Sequence, residues 1–306
     1  MIYTRLWQRL SAVYSDDYAK SLARYVLSAR FGLSFTEMVT ADTAPPPDAS
    51  QSCPRAVNRK SKQLTSDDLA ALEEIVARLL RSEPVQYVLG WAMFSGRRYT
   101  VTPAVLIPRP ETEELCRMVC DDASSLYGAG EPSADMRVDV LDIGTGSGCI
   151  AVTTALALPW ACVTAWDISA EVLAVAERNA SALGASVTFC RQDALHAPYD
   201  VRRWNVIVSN PPYVCEKEKA TMDRDVLDYE PASALFVPDG DPLLFYRAVA
   251  LYGSTALKDG GRLYFELNPL HASSVGRMLE EMGYVEVTVR ADTYGKRRFA
   301  RAVKYF

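Results

Sequence analysis

The sequence is poor in the residues that build metal centres. It has only two histidines, His196 and His271, in 306 residues. Its seven cysteines are an odd number and include no Cys-x-x-Cys pair. Structural zinc sites use four closely spaced Cys or His ligands, and disulfide frameworks use an even set of cysteines in secreted chains. The sequence therefore predicts no metal centre and indicates free thiols in a reducing compartment.

Long apolar runs and a signal-peptide pattern are also missing. No uninterrupted apolar stretch approaches the ~20 residues that span a bilayer. The first residues lack the basic-then-apolar order of a signal peptide. The 33 basic and 38 acidic residues leave a net charge of −5, whereas proteins that hold duplex nucleic acid usually carry a positive balance. We therefore expect a cytoplasmic protein that contacts neither membrane nor nucleic acid.

The chain has ordinary globular composition, with 49% hydrophobic residues, and its length allows two domains. Over residues 1–85, apolar residues recur at helical spacing, which predicts a small helical domain. A Pro/Ser-rich segment at about 41–60, with three consecutive prolines, interrupts it as an insertion. Residues 86–111 are rich in β-branched and aromatic residues and predict a hairpin connector, with strands at 99–102 and 105–107.

From residue 112 to 306, apolar runs of strand length alternate with helical patterns. This alternation predicts an α/β fold with a doubly wound, mainly parallel sheet of seven strands. The last two strands have no room for a crossover helix between them, so they should be antiparallel. The predicted strands are 138–143, 161–166, 187–190, 206–208, 262–267, 285–289 and 299–303.

The first predicted βα turn is a glycine loop. Residues 142–149 read Asp-Ile-Gly-Thr-Gly-Ser-Gly-Cys, directly after an apolar strand and before a helix. Glycines there let the backbone turn tightly and approach a ligand closely. Cys149 holds the place of the third glycine of the dinucleotide fingerprint, which counts against NAD.

Acidic residues end the next two predicted strands. Asp167 follows the glycines by about 20 residues, the position from which a carboxylate accepts hydrogen bonds from ribose hydroxyls. Asp193 ends the third strand, where it would face an adenine amino group. Asp142 precedes the loop and would either order its amides or face the ligand's ammonium group. The combination predicts a nucleoside site.

The fourth predicted strand ends in Asn-Pro-Pro-Tyr at residues 210–213. The two prolines fix the backbone and remove two N–H donors. The Asn210 side-chain oxygen and the Pro211 carbonyl can then both face outward as acceptors, which suits one planar NH2 group. Tyr213 offers a flat ring on which such a group can stack.

Together with the glycine loop, the 210–213 segment resembles class I S-adenosylmethionine-dependent methyltransferases that act on a planar nitrogen. Three further segments, 83–90, 101–113 and 229–235, resemble the HemK/PrmC family of peptide chain release factor glutamine methyltransferases. The resemblance covers roughly residues 65–306. The insertion at 41–60 departs from the family pattern, as do Asn268 and His271, where relatives carry a glycine and later a glutamine.

The resemblance implies that S-adenosyl-L-methionine donates a methyl group to the Gly-Gly-Gln glutamine of release factors 1 and 2. It implies an N-terminal substrate-recognition domain and a Rossmann-like methyltransferase domain at 112–306, and we expect a monomer. The residues implied for catalysis are Asn210, Pro211 and Tyr213. Those implied for substrate binding are Asn210, Pro211, Pro212, Tyr213, Phe94, Arg109 and Glu111. Those implied for the cofactor are Asp142, Gly144, Thr145, Gly146, Gly148, Asp167, Ile168, Asp193, Ala194 and Asn210.

Three alternatives stay open at the level of sequence. A ribosomal-protein glutamine methyltransferase shares the Asn-Pro-Pro-Tyr motif. A nucleic-acid adenine-N6 methyltransferase also shares it but should need a basic groove. An NAD oxidoreductase or a non-catalytic nucleotide-binding module would have no use for the 210–213 segment.

Overall fold

In the computed structural model, which describes residues 2–40, 64–125 and 137–305, the chain divides into two units between Gly90 and Trp91. The insertion predicted at 41–60 lies outside the described residues. The boundaries proposed from sequence at 85 and 111 stay predictions.

The first unit is helical. Its helices are α1 (Ile2–Leu10), α2 (Asp16–Phe31), α3 (Phe35–Thr40), α4 (Ser66–Leu79) and α5 (Val85–Leu89). α4 begins with a reciprocal capping box, in which the Thr65 hydroxyl accepts from Asp68 N–H and the Asp68 carboxylate accepts from Thr65 N–H. Gly32 caps the end of α2 with a φ of 65°, which a residue with a side chain rarely adopts. The buried core of this unit includes Leu10, Val26, Leu27, Val76 and Leu79.

The second unit starts with a two-stranded hairpin. β1 (Trp91–Phe94) pairs antiparallel with β2 (Arg97–Thr100) around Ser95 and Gly96, both of which have positive φ. The predicted strand at 99–102 overlaps β2 at residues 99 and 100, whereas 105–107 is not a strand, so the hairpin lies earlier in the chain than predicted. The apolar residues at 105 and 107 are buried without being in a strand, because the segment is held by other contacts described below.

A seven-stranded sheet forms the centre of this unit, with the order β10-β11-β9-β6-β3-β4-β5. The four pairings from β9 to β5 are parallel, and β11 pairs antiparallel with both β9 and β10. The predicted doubly wound sheet with an antiparallel end is confirmed. The sheet strands are β3 (Val138–Ile143), β4 (Ala161–Asp167), β5 (Val187–Arg191), β6 (Trp204–Ser209), β9 (Leu257–Glu266), β10 (Val285–Ala291) and β11 (Arg297–Val303). A short parallel pair, β7 (Val214–Cys215) and β8 (Phe236–Val237), lies apart from it.

Helices cover both faces of the sheet because its central strands are apolar on both. Along β3, Val138 and Val140 enter one core cluster while Leu141 and Ile143 enter the other. The helices of this unit are α6 (Pro110–Ser125), α7 (Cys149–Ala157), α8 (Ala170–Leu183), α9 (Arg224–Tyr229), α10 (Ala232–Leu235), α11 (Leu244–Ala256) and α12 (Ala272–Glu281). Among the residues that the structure describes, no helix combines the length and apolarity needed to cross a membrane.

Candidate active site

The register of the two central strands brings two predicted segments together. β3 and β6 are parallel neighbours, and Ile143 pairs with Ser209 at their carboxyl ends. The Ser209 hydroxyl donates to the Ile143 carbonyl at 2.7 Å. The glycine loop therefore begins beside Asn210, where the chain order reverses from β4 and β5 on one side of β3 to β6 on the other. Open α/β sheets bind ligands at such a switch point.

A cavity of about 330 Å³ opens at this switch point. Its lining includes the predicted site residues Gly144, Thr145, Gly146, Asp167, Ile168, Asp193, Ala194, Asn210, Pro211, Pro212 and Arg109. Leu195 also lines it, and the side chains of Ile168 and Leu195 are exposed despite being apolar. Exposed apolar side chains beside hydrogen-bonding groups suit a ligand that carries both a flat ring and polar substituents.

Two glycines of the loop are required by its geometry. Gly146 has a φ of 55°, and its N–H donates to Asp167 Oδ2 at 3.2 Å. Gly148 has a φ of 79°, and a Cβ there would lie 3.0 Å from the Cβ of Ala176 on α8. The absence of side chains thus lets the loop face the cavity and lets α7 start close to α8.

The side chain of Asn179 supports the glycine loop, although the sequence motifs do not point to this residue. Its side chain is buried, and Nδ2 donates to the Ser147 carbonyl at 2.8 Å and the Thr100 carbonyl at 3.0 Å. Its Oδ1 accepts from Thr100 N–H at 2.7 Å. This one amide joins the glycine loop to the end of β2. The signal was available, because Asn179 stands among the apolar positions of a helix that packs on the sheet.

Asp142 lies behind the loop rather than in the cavity lining. It is fully buried, and its Oδ2 accepts from the Thr145 hydroxyl at 2.6 Å and from Ala151 N–H at 3.2 Å. Its Oδ1 has no hydrogen-bond partner among the described residues. Burial raises the pKa of Asp142 to about 7, and the nearby Asp167 adds to the rise, although the two hydrogen bonds oppose it. Of the two roles considered from sequence, this placement favours ordering the loop.

The two acids at the ends of the next two strands, Asp167 and Asp193, differ in their hydrogen bonds and in the direction of their pKa shifts. Asp167 holds the loop through Gly146 and accepts from Ser169 N–H at 3.1 Å, and burial raises its pKa. Asp193 accepts from His196 Nδ1 at 2.6 Å and from Leu195 N–H at 2.9 Å. The bond from His196 lowers the pKa of Asp193. Asp193 therefore caps a short 3-10 turn at the cavity wall.

A buried carboxylate stands behind the Asn-Pro-Pro-Tyr segment. Glu266 is 1% exposed, and its Oε2 accepts from the Thr112 hydroxyl at 2.6 Å. Asn210 Nδ2 in turn donates to Thr112 Oγ1 at 3.4 Å. The Tyr213 hydroxyl donates to Glu266 Oε1 at 3.3 Å. Burial raises the pKa of Glu266, although the bond from Thr112 opposes the rise. Glu266 and Thr112 were not singled out from sequence, because their partners lie far away in the chain.

A second cavity, of about 290 Å³, opens beside the first. Its lining includes Tyr213, Val214, Met222, Val226 and Leu235. Both cavities are lined by Leu106, Arg109, Asn210, Pro211 and Ala234. The edge formed by Asn210 and Pro211 therefore faces both spaces.

One ion pair holds the segment before α6 against this edge. Arg109 Nη2 donates to Glu230 Oε1 at 2.5 Å, and Ile107 N–H donates to Glu230 Oε2 at 3.2 Å. The Glu230 side chain is 1% exposed. Glu230 was not proposed from sequence, although it stands in the 229–235 segment, and it explains why 105–107 is buried without being a strand.

Two predicted substrate residues lie elsewhere. Phe94 is 1% exposed and packs edge-on against Tyr99, with ring centroids 5.7 Å apart. The structure thus places Phe94 in the core, and it is not part of either cavity lining. Glu111, in the first turn of α6, is partly exposed and also absent from both linings.

Comparison with curated proteins identifies the family. The Release factor glutamine methyltransferase of Bacteroides thetaiotaomicron is 48% identical over 232 residues, which cover 76% of this chain and 80% of that protein. The protein of the same name from Flavobacterium psychrophilum is 34% identical over 97% of this chain and 96% of its own. The chain belongs to the release factor glutamine methyltransferase family. The resemblance inferred from the motifs is confirmed.

Family matches and fold agree with this membership. The Methyltransferase small domain family matches residues 116–240, and the PrmC N-terminal domain family matches residues 55–90. Among solved structures, the catalytic domain of hMettl16 with the MAT2A 3'UTR hairpin 6 has a TM-score of 0.52. It is 15% identical and covers 79% of this chain and 82% of that chain, a likeness that concerns the fold alone.

We expect Asp142 to make the free energy of unfolding fall as the pH rises from about 4 to about 7. The folded state binds this proton more tightly than the unfolded chain, whose carboxyl has the ordinary pKa of 3.8. The difference of about three pKa units corresponds to roughly 4 kcal/mol. Urea unfolding at about pH 4 and pH 8 measures the free energy of unfolding of Asp142→Asn relative to that of the wild type. This difference should rise by about that amount, in favour of the variant, between the lower and the higher pH. A difference between the two that is constant with pH would contradict a protonated Asp142.

Proposed function

We propose that this chain transfers the methyl group of S-adenosyl-L-methionine to the side-chain amide nitrogen of the Gly-Gly-Gln glutamine in release factors 1 and 2. The observation that carries the proposal is the edge formed by Asn210 and Pro211. It faces a nucleoside-sized cavity on one side and a second cavity on the other. A methyl donor and an amide acceptor bound in the two spaces would meet there.

The residues of the first cavity fit the proposed cofactor. Asp167 offers carboxylate oxygens for the two ribose hydroxyls, at the end of the strand next to the glycine loop. Ile168 and Leu195 offer apolar surface for the purine, and Asp193 and Ala194 lie beside them on the wall. Gly144 and Gly146 bring bare backbone to the cavity for the amino-acid end of the molecule. When bound, S-adenosyl-L-methionine supplies an electrophilic methyl group on a sulfonium.

The second cavity fits a glutamine side chain. Asn210 Oδ1 and the Pro211 carbonyl would accept the two amide N–H bonds, which orients the nitrogen and favours the positive charge that develops on it. Tyr213 lines the second cavity, Pro212 lines the first, and Arg109 lines both. An amide nitrogen is a weak nucleophile, so positioning supplies much of the rate.

The hydrogen bonds behind the motif determine which end of the Asn210 amide faces the substrate. The Thr112 hydroxyl donates its single proton to Glu266 Oε2 at 2.6 Å. Thr112 Oγ1 is then left as an acceptor, and it receives Asn210 Nδ2. Asn210 Oδ1 is therefore the end that remains for the substrate. We infer that Glu266 and Thr112 act as positioning residues for Asn210.

Thr112→Val should lower kcat about tenfold, the value of one hydrogen bond of about 1.4 kcal/mol. Valine has nearly the same shape but no hydroxyl, so the Asn210 amide loses the group that orients it. Steady-state kinetics with a release factor should show the loss in kcat, with the cofactor affinity unchanged. Thr112→Ser retains the hydroxyl and should restore most of the rate. Equal activity of the valine and serine variants would contradict the positioning role.

The substrate also bears on location and assembly. Release factors act on cytoplasmic ribosomes, so we place the enzyme in the cytoplasm, and we expect it to act as a monomer. The helical unit that ends at Gly90 is the part that we assign to recognition of the release factor body. The matched relatives are named for release factors, which favours this substrate over a ribosomal protein.

The proposal is tested by incubating the enzyme with methyl-labelled S-adenosyl-L-methionine and purified release factors, then mapping the label by mass spectrometry. We expect one methyl group on the Gly-Gly-Gln glutamine and none on a release factor in which that glutamine is replaced by glutamate. Label on a ribosomal protein, or on the adenines of added nucleic acid, would replace the proposed substrate with one of the alternatives.

A further inference from the structure

Three potential metal ligands converge behind the Asn-Pro-Pro-Tyr segment. Cys215 Sγ, a Glu218 carboxylate oxygen and a His271 ring nitrogen all lie within 4.8 Å of one another. Cys215 and Glu218 follow the motif directly, whereas His271 comes just before α12, more than 50 residues later. None of these three side chains has a role in the proposed methyl transfer.

The spacing of two of these atoms matches a tetrahedral metal ion. Cys215 Sγ and His271 Nε2 are 3.6 Å apart. A zinc ion with a Zn–S bond of about 2.3 Å and a Zn–N bond of about 2.0 Å holds its sulfur and nitrogen ligands about 3.5 Å apart. The separation of these two atoms is therefore close to the one that a shared zinc ion would impose.

Glu218 is already held in place as a ligand would be. Its Oε1 accepts from Cys215 N–H at 2.8 Å and from Asn268 Nδ2 at 3.0 Å. The same Asn268 amide donates to the Tyr213 carbonyl at 3.1 Å, and its Oδ1 accepts from Leu270 N–H at 3.0 Å. Hydrogen bonds that orient a ligating carboxylate in this way are typical of the outer shell of metal sites.

We propose that Cys215, Glu218 and His271 bind one zinc-class divalent cation, with water in the fourth position. A donor set of thiolate, imidazole and carboxylate suits Zn2+, whereas Mg2+ and Ca2+ require oxygen donors. Binding converts the Cys215 thiol to a thiolate and releases its proton to solvent. The ion would connect the segment after Tyr213 to the turn at 268–271. Asn268 and His271, the two positions that depart from the family pattern, would then both contribute to the metal site. It also revises the prediction that the chain holds no metal.

The competing explanation is an ordinary hydrogen bond between the Cys215 thiol and His271 Nε2. A metal titration of the full chain separates the two explanations. After treatment with a chelator, the protein is titrated with Zn2+ against a chromophoric competitor, and in parallel with Co2+. We expect one ion per chain, and in the cobalt form a thiolate-to-metal charge-transfer absorption.

Variants test the assignment of ligands. Cys215→Ser and His271→Asn should each weaken Zn2+ binding by at least the ~100-fold that loss of an outer-shell partner can cause, and Cys215→Ser should abolish the charge-transfer band. Asn268→Ala should weaken binding roughly 10- to 100-fold. Cys162→Ser is the matched control, because this thiol on β4 contacts Arg137 and lies outside the cluster. Its affinity for Zn2+ should equal that of the wild type.

Two results would overturn the proposal. One is the absence of stoichiometric Zn2+ binding by the wild-type chain, which leaves the hydrogen bond as the explanation. The other is binding that persists in the Cys215→Ser, His271→Asn double variant, provided circular dichroism shows that this variant is folded. The titration requires no methyl transfer, so it does not depend on the proposed function.

Discussion

Asn210→Ala should lower kcat for glutamine methylation by roughly 100- to 1000-fold, the cost of removing one pre-organised hydrogen-bonding group from an active site. The variant removes the acceptor that we propose to orient the amide nitrogen, and the Pro211 carbonyl alone would not fix both N–H bonds. Single-turnover transfer to a release factor measures this loss directly. Cofactor affinity by calorimetry should stay within a few-fold of the wild type, because Asp167 and the glycine loop are unchanged.

Asn205→Ala is the matched control for that variant. Asn205 lies on the same strand, β6, but near its opposite end, where its Oδ1 accepts from Asp139 N–H and from Lys258 Nζ. The folded fraction of this variant should transfer methyl groups at the wild-type rate. Full activity in Asn210→Ala would remove Asn210 from the mechanism, and equal losses in the two variants would indicate a general effect on the sheet.

Asp167→Ala should weaken binding of S-adenosyl-L-methionine by at least roughly 10- to 100-fold, since a single hydrogen bond to a charged group contributes about 1.5–3 kcal/mol. The variant has no carboxylate to bind the ribose hydroxyls. It also lacks the acceptor for Gly146 N–H, so the glycine loop loses a hydrogen bond. Calorimetric titration with the cofactor measures the affinity. At saturating cofactor, kcat should remain close to that of the wild type, because the acceptor edge is intact.

Asp167→Asn is a milder change to the side chain that we propose to bind the ribose and that accepts from Gly146 N–H. The amide keeps one acceptor oxygen and nearly the same shape, so it should lose less affinity than alanine. Unchanged affinity in Asp167→Ala would remove Asp167 from the ribose assignment. A large fall in kcat at saturating cofactor, with normal affinity, would move Asp167 from cofactor binding to the chemical step.

Local patterns in the sequence predicted most of the fold. The central strands of the sheet, such as β3 and β6, are short apolar runs bounded by helical patterns and turn residues, so their positions follow from the sequence. The structure of the connector at 86–111 is harder to predict from the sequence. A short apolar run such as 105–107 has no periodicity that separates a strand from a buried loop. The tertiary structure decides between them, and in it Ile107 N–H donates to the Glu230 carboxylate.

The sequence by itself determined the family, the sheet, the glycine loop and the Asn-Pro-Pro-Tyr segment, because each depends on residues adjacent in the chain. Only the tertiary structure decided what supports them. The Thr112–Glu266 bond, the Arg109–Glu230 pair and the Cys215–His271 contact join residues that are 154, 121 and 56 positions apart. Such pairs leave no local pattern, since the sheet order that brings them together is set by packing of the whole unit.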